Sequence, residues 1–113
     1  MSSAFGDMGN LLKQAQKMQR DLELAREELK NARVTGTAGG GVVSLDADGD
    51  GQVLAVRIQP SMLGSAALGG AVDPSLLEDL VLAAARDAFA KAAVLRQERL
   101  SRISGGLNLP GLY

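Results

Sequence analysis

Lys13, Lys17 and Arg20 are the first residues in this chain whose spacing suggests a chemistry. They stand at i, i+4 and i+7 with no acid between Met8 and Arg20. On a helix turning about 100° per residue they form one narrow cationic stripe. Arg96, Arg99 and Arg102 make a second basic cluster near the other end of the chain. Ammonium and guanidinium groups in such rows bind oxyanions, phosphate above all. Little else is on offer. The chain has no His and no Cys, which removes the commonest acid/base group, the commonest metal ligand and the thiolate nucleophile. No Ser is followed by Lys three residues on. The carboxylate pairs Glu27-Glu28 and Glu78-Asp79 are adjacent, so on a helix they diverge by about 100° and cannot share a substrate. The expectation is a protein that binds rather than catalyses, with no cofactor.

Two further motifs resolve into turns. Asp46-Ala47-Asp48-Gly49-Asp50-Gly51 matches the opening of an EF-hand calcium loop, but the position for the closing acid is Arg57. A cation there opposes calcium, and no metal is expected; the stretch reads as a hairpin turn whose glycines supply positive φ. Gly36 through Gly41 lacks the Gly-Lys-Ser/Thr of a phosphate-binding loop and follows a helix, where such a loop follows a strand. It reads as a hinge between helix and strand.

At 113 residues the chain is expected to be a single domain over 1–113, with 1–7 and 105–113 as mobile ends. Aromatics make up 3%, and Phe5, Phe89 and Tyr113 are the full set, so a core completed by a second subunit is expected. The first ten residues do not resemble a signal peptide, and the longest apolar run, Leu80 to Ala85, is too short for a bilayer. A cytoplasmic protein without a membrane partner is expected. The net charge of −1 hides a pattern. Both ends are basic, while the stretch from Val34 to Pro74 carries four Asp against Arg57 alone.

The elements that must position these groups follow from periodicity. Met8, Leu11, Ala15, Met18, Leu22, Ala25, Leu29 and Ala32 alternate spacings of three and four, the seam of a helix that packs on another helix. The helix is expected from about Met8, capped by Asp7 or Asn10, to Arg33, with Gly36 and Gly39-Gly40-Gly41 breaking it. Leu11, Ala15, Met18, Leu22, Ala25 and Leu29 are the candidate dimer interface, although packing within one chain would demand a similar stripe. The basic stripe lies on the opposite face. Three strands should follow, at Val34 to Thr37, Val42 to Ala47 and Val53 to Ile58, with Leu54, Val56 and Ile58 turned inward. Asp73-Pro74 starts a second helix, Ser75 to Glu78 reads as its capping box, and it should bury Leu77, Leu80, Val81, Ala84, Ala88, Phe89 and Leu95 before ending near Ser104. The fold class is α+β, in the order α-β-β-β-α with a three-stranded antiparallel sheet. Taken alone, the stripe could be plain solvated surface, and the Arg96 cluster could simply complement the negative end of its helix.

Several segments resemble one family. Asn10-Leu11-Leu12-Lys13-Gln14-Ala15-Gln16-Lys17-Met18-Gln19 is similar to the opening helix of the YbaB/EbfC nucleoid-associated proteins. Val34-Thr35-Gly36, Ala38-Gly39-Gly40-Gly41-Val42-Val43, Val56-Arg57-Ile58-Gln59-Pro60-Ser61-Met62-Leu63, Leu77 to Ala85 and Leu107-Asn108-Leu109-Pro110-Gly111 resemble later segments of that family, in order. The start at Ser2-Ser3-Ala4-Phe5-Gly6-Asp7 is less basic than is common there, and Gln59 and Arg86 replace a usual Asp and Asn. The resemblance implies a homodimer that binds double-stranded DNA and helps organise the nucleoid; little base readout, a cytoplasmic location and a part in gene regulation are further expectations. It further implies that Lys13, Lys17, Arg20 and the Arg96, Arg99 and Arg102 cluster touch phosphates. The alternative is a dimeric adaptor that docks other proteins through the helix seam.

Overall fold

The computed structural model describes residues 2–63 and 73–103. Helix α1 (Ser2–Asn31) leads into strands β1 (Val34–Ala38), β2 (Val43–Ala47) and β3 (Val53–Ile58), and helix α2 (Pro74–Ile103) closes the order α-β-β-β-α. The sheet runs β1-β2-β3 with both pairs antiparallel. Residues 64–72 and 104–113, which include the expected mobile end from 105 onward, lie outside the described residues.

α1 begins at Ser2, six residues before the first seam residue, Met8. Asp7 and Asn10 therefore lie within the helix and not at its start. No proline interrupts this stretch, and an internal glycine weakens a helix by only about 1 kcal/mol without ending it. The helix stops at Asn31, before the glycines. Gly36 lies within β1 rather than at a hinge. A Cβ there would run into the carbonyl oxygen of Ala84 and the amide nitrogen of Ala88. Glycine is required because the α2 backbone rests directly on the strand.

That close approach follows from the sequence of α2. Ala84, Ala88 and Ala92 recur every four residues and are all fully buried, so the helix lies low on Val43, Leu45 and Ala47 of β2. Asp73 caps the helix from just before its start: its Oδ1 accepts the Ser75 amide at 3.0 Å and its carbonyl accepts the Leu77 amide at 3.1 Å. The cap is thus Asp73, one residue before Pro74, and not Ser75. β1 turns into β2 through Gly39, Gly40 and Gly41, with φ of 63°, 72° and 96°, a left-handed run that only glycine adopts without strain.

α2 covers β1 and β2 and scarcely reaches β3. Leu54 and Val56, expected inward, are therefore 51% and 46% exposed, and Val53 is 50% exposed. Ile58 is half-buried. Phe89, expected in the core, is 41% exposed, because the alanine stripe and not the aromatic faces the sheet. The two edges of the sheet also differ. At the β1 edge, Asp87 Oδ2 accepts the Thr37 amide at 3.0 Å and Lys91 Nζ donates to the Thr35 carbonyl at 2.9 Å. A 3.2 Å ion pair links Lys91 to Asp87.

At the β2–β3 hairpin, Asp48 Oδ1 accepts the amides of Asp50 and Gln52, both at 2.9 Å. Only Gly51 of its two glycines has positive φ, at 88°. Gly49 is needed for proximity: its amide donates to the Leu29 carbonyl at 2.8 Å, and a Cβ there would lie 2.6 Å from that oxygen. This contact seats the end of α1 on the hairpin tip. The chain is long and thin, 85 × 23 × 16 Å with a radius of gyration of 22.0 Å, where a compact chain of this length would have about 13 Å.

Candidate nucleic-acid interface

Why the chain is so extended is visible along α1. Its seam divides in two. Leu29 and Ala25 are buried by their own chain, Leu22 and Met18 are half-buried, and Ala15 and Leu11 are exposed. α2 runs back along only the carboxyl-terminal part of α1, where Arg99, Arg102 and Ile103 face Asp21, Leu24, Ala25 and Glu28 across a groove. From Asp21 back to Ser2, α1 continues for about 28 Å by helix rise. Every described side chain from Met8 to Lys17 is exposed, including Met8, Leu11 and Leu12 at 65%, 62% and 61%.

Lys13, Lys17 and Arg20 sit on this projecting half. All three are exposed, and none has an ion pair among the described residues. Three unpaired cations on one face of a projecting helix can neutralise a row of phosphates.

The second cluster is placed differently. Arg99 Nε lies 3.6 Å from Glu28 Oε2 on α1. Arg102 shares the groove with Asp21 and Glu28, and Arg96 lines a separate shallow depression with Ala93, Gln97 and Leu100. Arg99 and Arg102 therefore stand among acids of α1 that partly offset their positive field, whereas the stripe residues make no ion pair among the described residues.

A third charged group did not come from the sequence reading. Residues directly opposite one another in the ladders share a face. Thr35, Asp46 and Ala55 line up, as do Thr37, Ser44 and Arg57, on the side of the sheet away from α2. Asp46 Oδ1 accepts from Thr35 Oγ1 at 2.8 Å and from Arg57 Nη2 at 2.9 Å. Its Oδ2 accepts from Arg57 Nη1 at 2.7 Å and from Arg33 Nε at 2.9 Å. The Arg57 and Thr35 hydrogen bonds, with a smaller share from Arg33, hold the Asp46 carboxyl well below the usual carboxylate range despite its enclosure. The same pairing pushes Arg57 further up. At the sheet edge, the Thr37 amide and then Lys91 lower Asp87. A signal for the Asp46 cluster did exist. Once the hairpin is assigned, Asp46 and Arg57 become diagonal neighbours on its polar face, within reach of long side chains.

Among the described residues no cluster of His, Cys, Asp and Glu could hold a metal ion, and no helix is long and apolar enough to cross a membrane.

Comparison with known proteins agrees with this architecture. A model of the YbaB/EbfC DNA-binding family matches residues 5–107. A nucleoid-associated protein of Mycolicibacterium vanbaalenii is 43% identical over 94% of this chain and 94% of its own length. One from Acetivibrio thermocellus is 42% identical over 96% and 91%. One from Pelotomaculum thermopropionicum is 37% identical over 96% and 97%. Among solved structures, an uncharacterised protein of Helicobacter pylori superposes with a TM-score of 0.62 at 23% identity, covering 83% of this chain and 89% of that one. At that identity the likeness speaks to the fold alone.

Proposed function

This chain belongs to the YbaB/EbfC DNA-binding family, and from that premise we propose that it binds double-stranded DNA as a homodimer with little sequence preference. Its place is the nucleoid, where it contributes to DNA organisation and through it to gene regulation. The observation that carries the reading is the free half of α1, which presents Lys13, Lys17 and Arg20 without a competing acid partner. Phosphate contacts of this kind fix position and carry no base information, so low specificity follows. No catalytic step enters this function.

The homodimer rests on surface that a single chain leaves open. Leu11 and Ala15 with Met8 on α1, and Val53, Leu54 and Val56 on β3, form apolar faces in a chain with little core of its own. A second copy that covers them completes what Ala25 and Leu29 begin inside each chain.

The test is the salt dependence of duplex binding. Three phosphates per chain give a slope of log K against log salt of about −5 for a dimer. Replacing Lys13, Lys17 and Arg20 by Gln retains most of the helix propensity and leaves the opposite seam intact. The variant should still sediment as a dimer, bind unrelated duplexes with similarly reduced affinity and show a shallower slope. Unchanged affinity and slope would refute the stripe as the DNA contact.

A further inference from the structure

The outer face of the sheet holds a charged group that the stripe reading leaves unused. Asp46 is enclosed, its side chain 4% exposed, while the two arginines covering it, Arg33 and Arg57, are 59% and 55% exposed. One carboxylate against two guanidiniums leaves this cluster with a net charge of +1 (two positive less one negative). The other strand residues aligned on this face, Thr35, Thr37, Ser44 and Ala55, are uncharged. Both Asp46 oxygens are already occupied, each accepting from two donors. The remaining positive charge therefore has no counter-charge within the cluster.

The guanidiniums are also fixed in place. Arg57 grips Asp46 with two parallel hydrogen bonds of 2.7 and 2.9 Å. Arg33 approaches the same carboxylate with Nε at 2.9 Å and Nη2 at 2.7 Å. Each guanidinium has five N–H donors, and Asp46 meets only two nitrogens of each. The donors left over sit on side chains more than half exposed, with little freedom left to lose when they bind. Two forks held apart by one carboxylate suit a single oxyanion with several acceptor oxygens. Arg33 stands two residues past Asn31, the end of α1, which lies about 16 Å from Arg20 by helix rise, less than one turn of duplex (~34 Å).

We infer that the Arg33–Asp46–Arg57 cluster seats a backbone phosphate of double-stranded DNA, a second contact at the foot of the helix that carries the lysine stripe. The inference rests on the duplex-binding reading above. Asp46 acts here as a positioning residue, aligning the two guanidiniums without touching the ligand.

The test compares the full-length chain, the Lys13→Gln/Lys17→Gln/Arg20→Gln variant, and an Arg33→Gln/Asp46→Asn/Arg57→Gln variant in which neutral amides replace the whole cluster and no buried charge is stranded. Binding of a fluorescent duplex two helical turns long is read by anisotropy across a potassium chloride series. The sheet variant should bind about three- to tenfold more weakly at moderate salt, with a slope shallower by about one per chain. A folded sheet variant with unchanged affinity and slope overturns the inference; if the helix variant responds in the same series, the duplex reading itself survives. A wild-type chain that does not bind duplex at all overturns both. Nitrogen-15 spectra of the wild type remove dependence on the variant's folding. The Arg33 and Arg57 Nε–Hε resonances should shift on adding duplex, and their failure to move overturns the inference.

Discussion

Gly36→Ala probes the contact that sets the height of α2 above the sheet. An added methyl at Gly36 overlaps the Ala84 carbonyl oxygen and the Ala88 amide nitrogen, and lies 2.8 Å from the Ala88 Cα. Side-chain Cβ atoms rarely come closer to a neighbour than about 3.4 Å. These obstacles are helix backbone and cannot rotate away, so α2 itself must retreat. Lifting it loosens Ala84 and Ala88 from Val43, Leu45 and Ala47 together. Overpacking costs typically ~1–3 kcal/mol, and the rigid obstacle places this case at about 3 kcal/mol. A gain of roughly 0.4–1 kcal/mol from the stiffer unfolded chain offsets part of that. The net loss of about 2 kcal/mol or more should lower Tm by roughly 8 °C or more. Gly40→Ala is the control. Nothing lies within 4 Å of a Cβ at Gly40, but its φ is +72°, so only the left-handed penalty of ~1–2 kcal/mol applies. Gly40→Asn should recover much of that penalty, while no side chain rescues position 36. Urea unfolding followed by circular dichroism reads all three, with the slope m unchanged. If Gly36→Ala melted with the wild type, α2 would not rest on β1 as described.

Three further outcomes are expected. Leu29→Asp should unfold the chain, because Leu29 is 2% exposed against Gly49 and stranding a buried charge costs ~3–5 kcal/mol; Leu11→Asp, 62% exposed, should leave a folded chain that sediments as a monomer. Stability should fall as pH drops below about 4, because Asp46 and Asp87 titrate lower in the folded chain than unfolded. Their stabilisation is complete above the unfolded pKa and fades as pH falls toward the folded one, so Asp46→Asn should be less stable at neutral pH and show a flatter acid limb. Calorimetry should find no calcium binding at the Asp46–Gly51 hairpin tighter than about millimolar, the weak end of EF-hand behaviour, since Asp48 Oδ1 already holds two backbone amides and Asp46 two guanidiniums.

The element order was legible in the sequence because each element carries a strong local signal. β3 occupies Val53–Ile58 as its alternation predicts, and α2 begins at the expected Asp73-Pro74 step. What local pattern could not tell was which surfaces meet. Leu54, Val56 and Phe89 have the hydrophobicity of core residues, yet the alanine stripe decides where α2 lies, and it lies over β1 and β2. Gly36 looked like a helix breaker because glycine has two uses, torsional freedom and close approach, and only the packed helix distinguishes them. The basic stripe could be read from spacing along one helix. The Asp46 cluster joins residues 11 to 13 positions apart, so it emerges only once strand register is known.

The unequal edges of the sheet bear on how far assembly can proceed. A strand edge with free amides and carbonyls is a template for another strand, and a molecule with two such templates can add copies at both ends without limit. Here Asp87 and Lys91 occupy the Thr37 amide and the Thr35 carbonyl of β1, and β3 is left as the edge without such a clamp among the described residues. A chain with one usable edge can join its like only edge to matching edge. That join is two-fold symmetric and consumes both templates. In the proposed homodimer, one i, i+4 ion pair on a helix would then act as a chain terminator, limiting edge-to-edge growth to two copies.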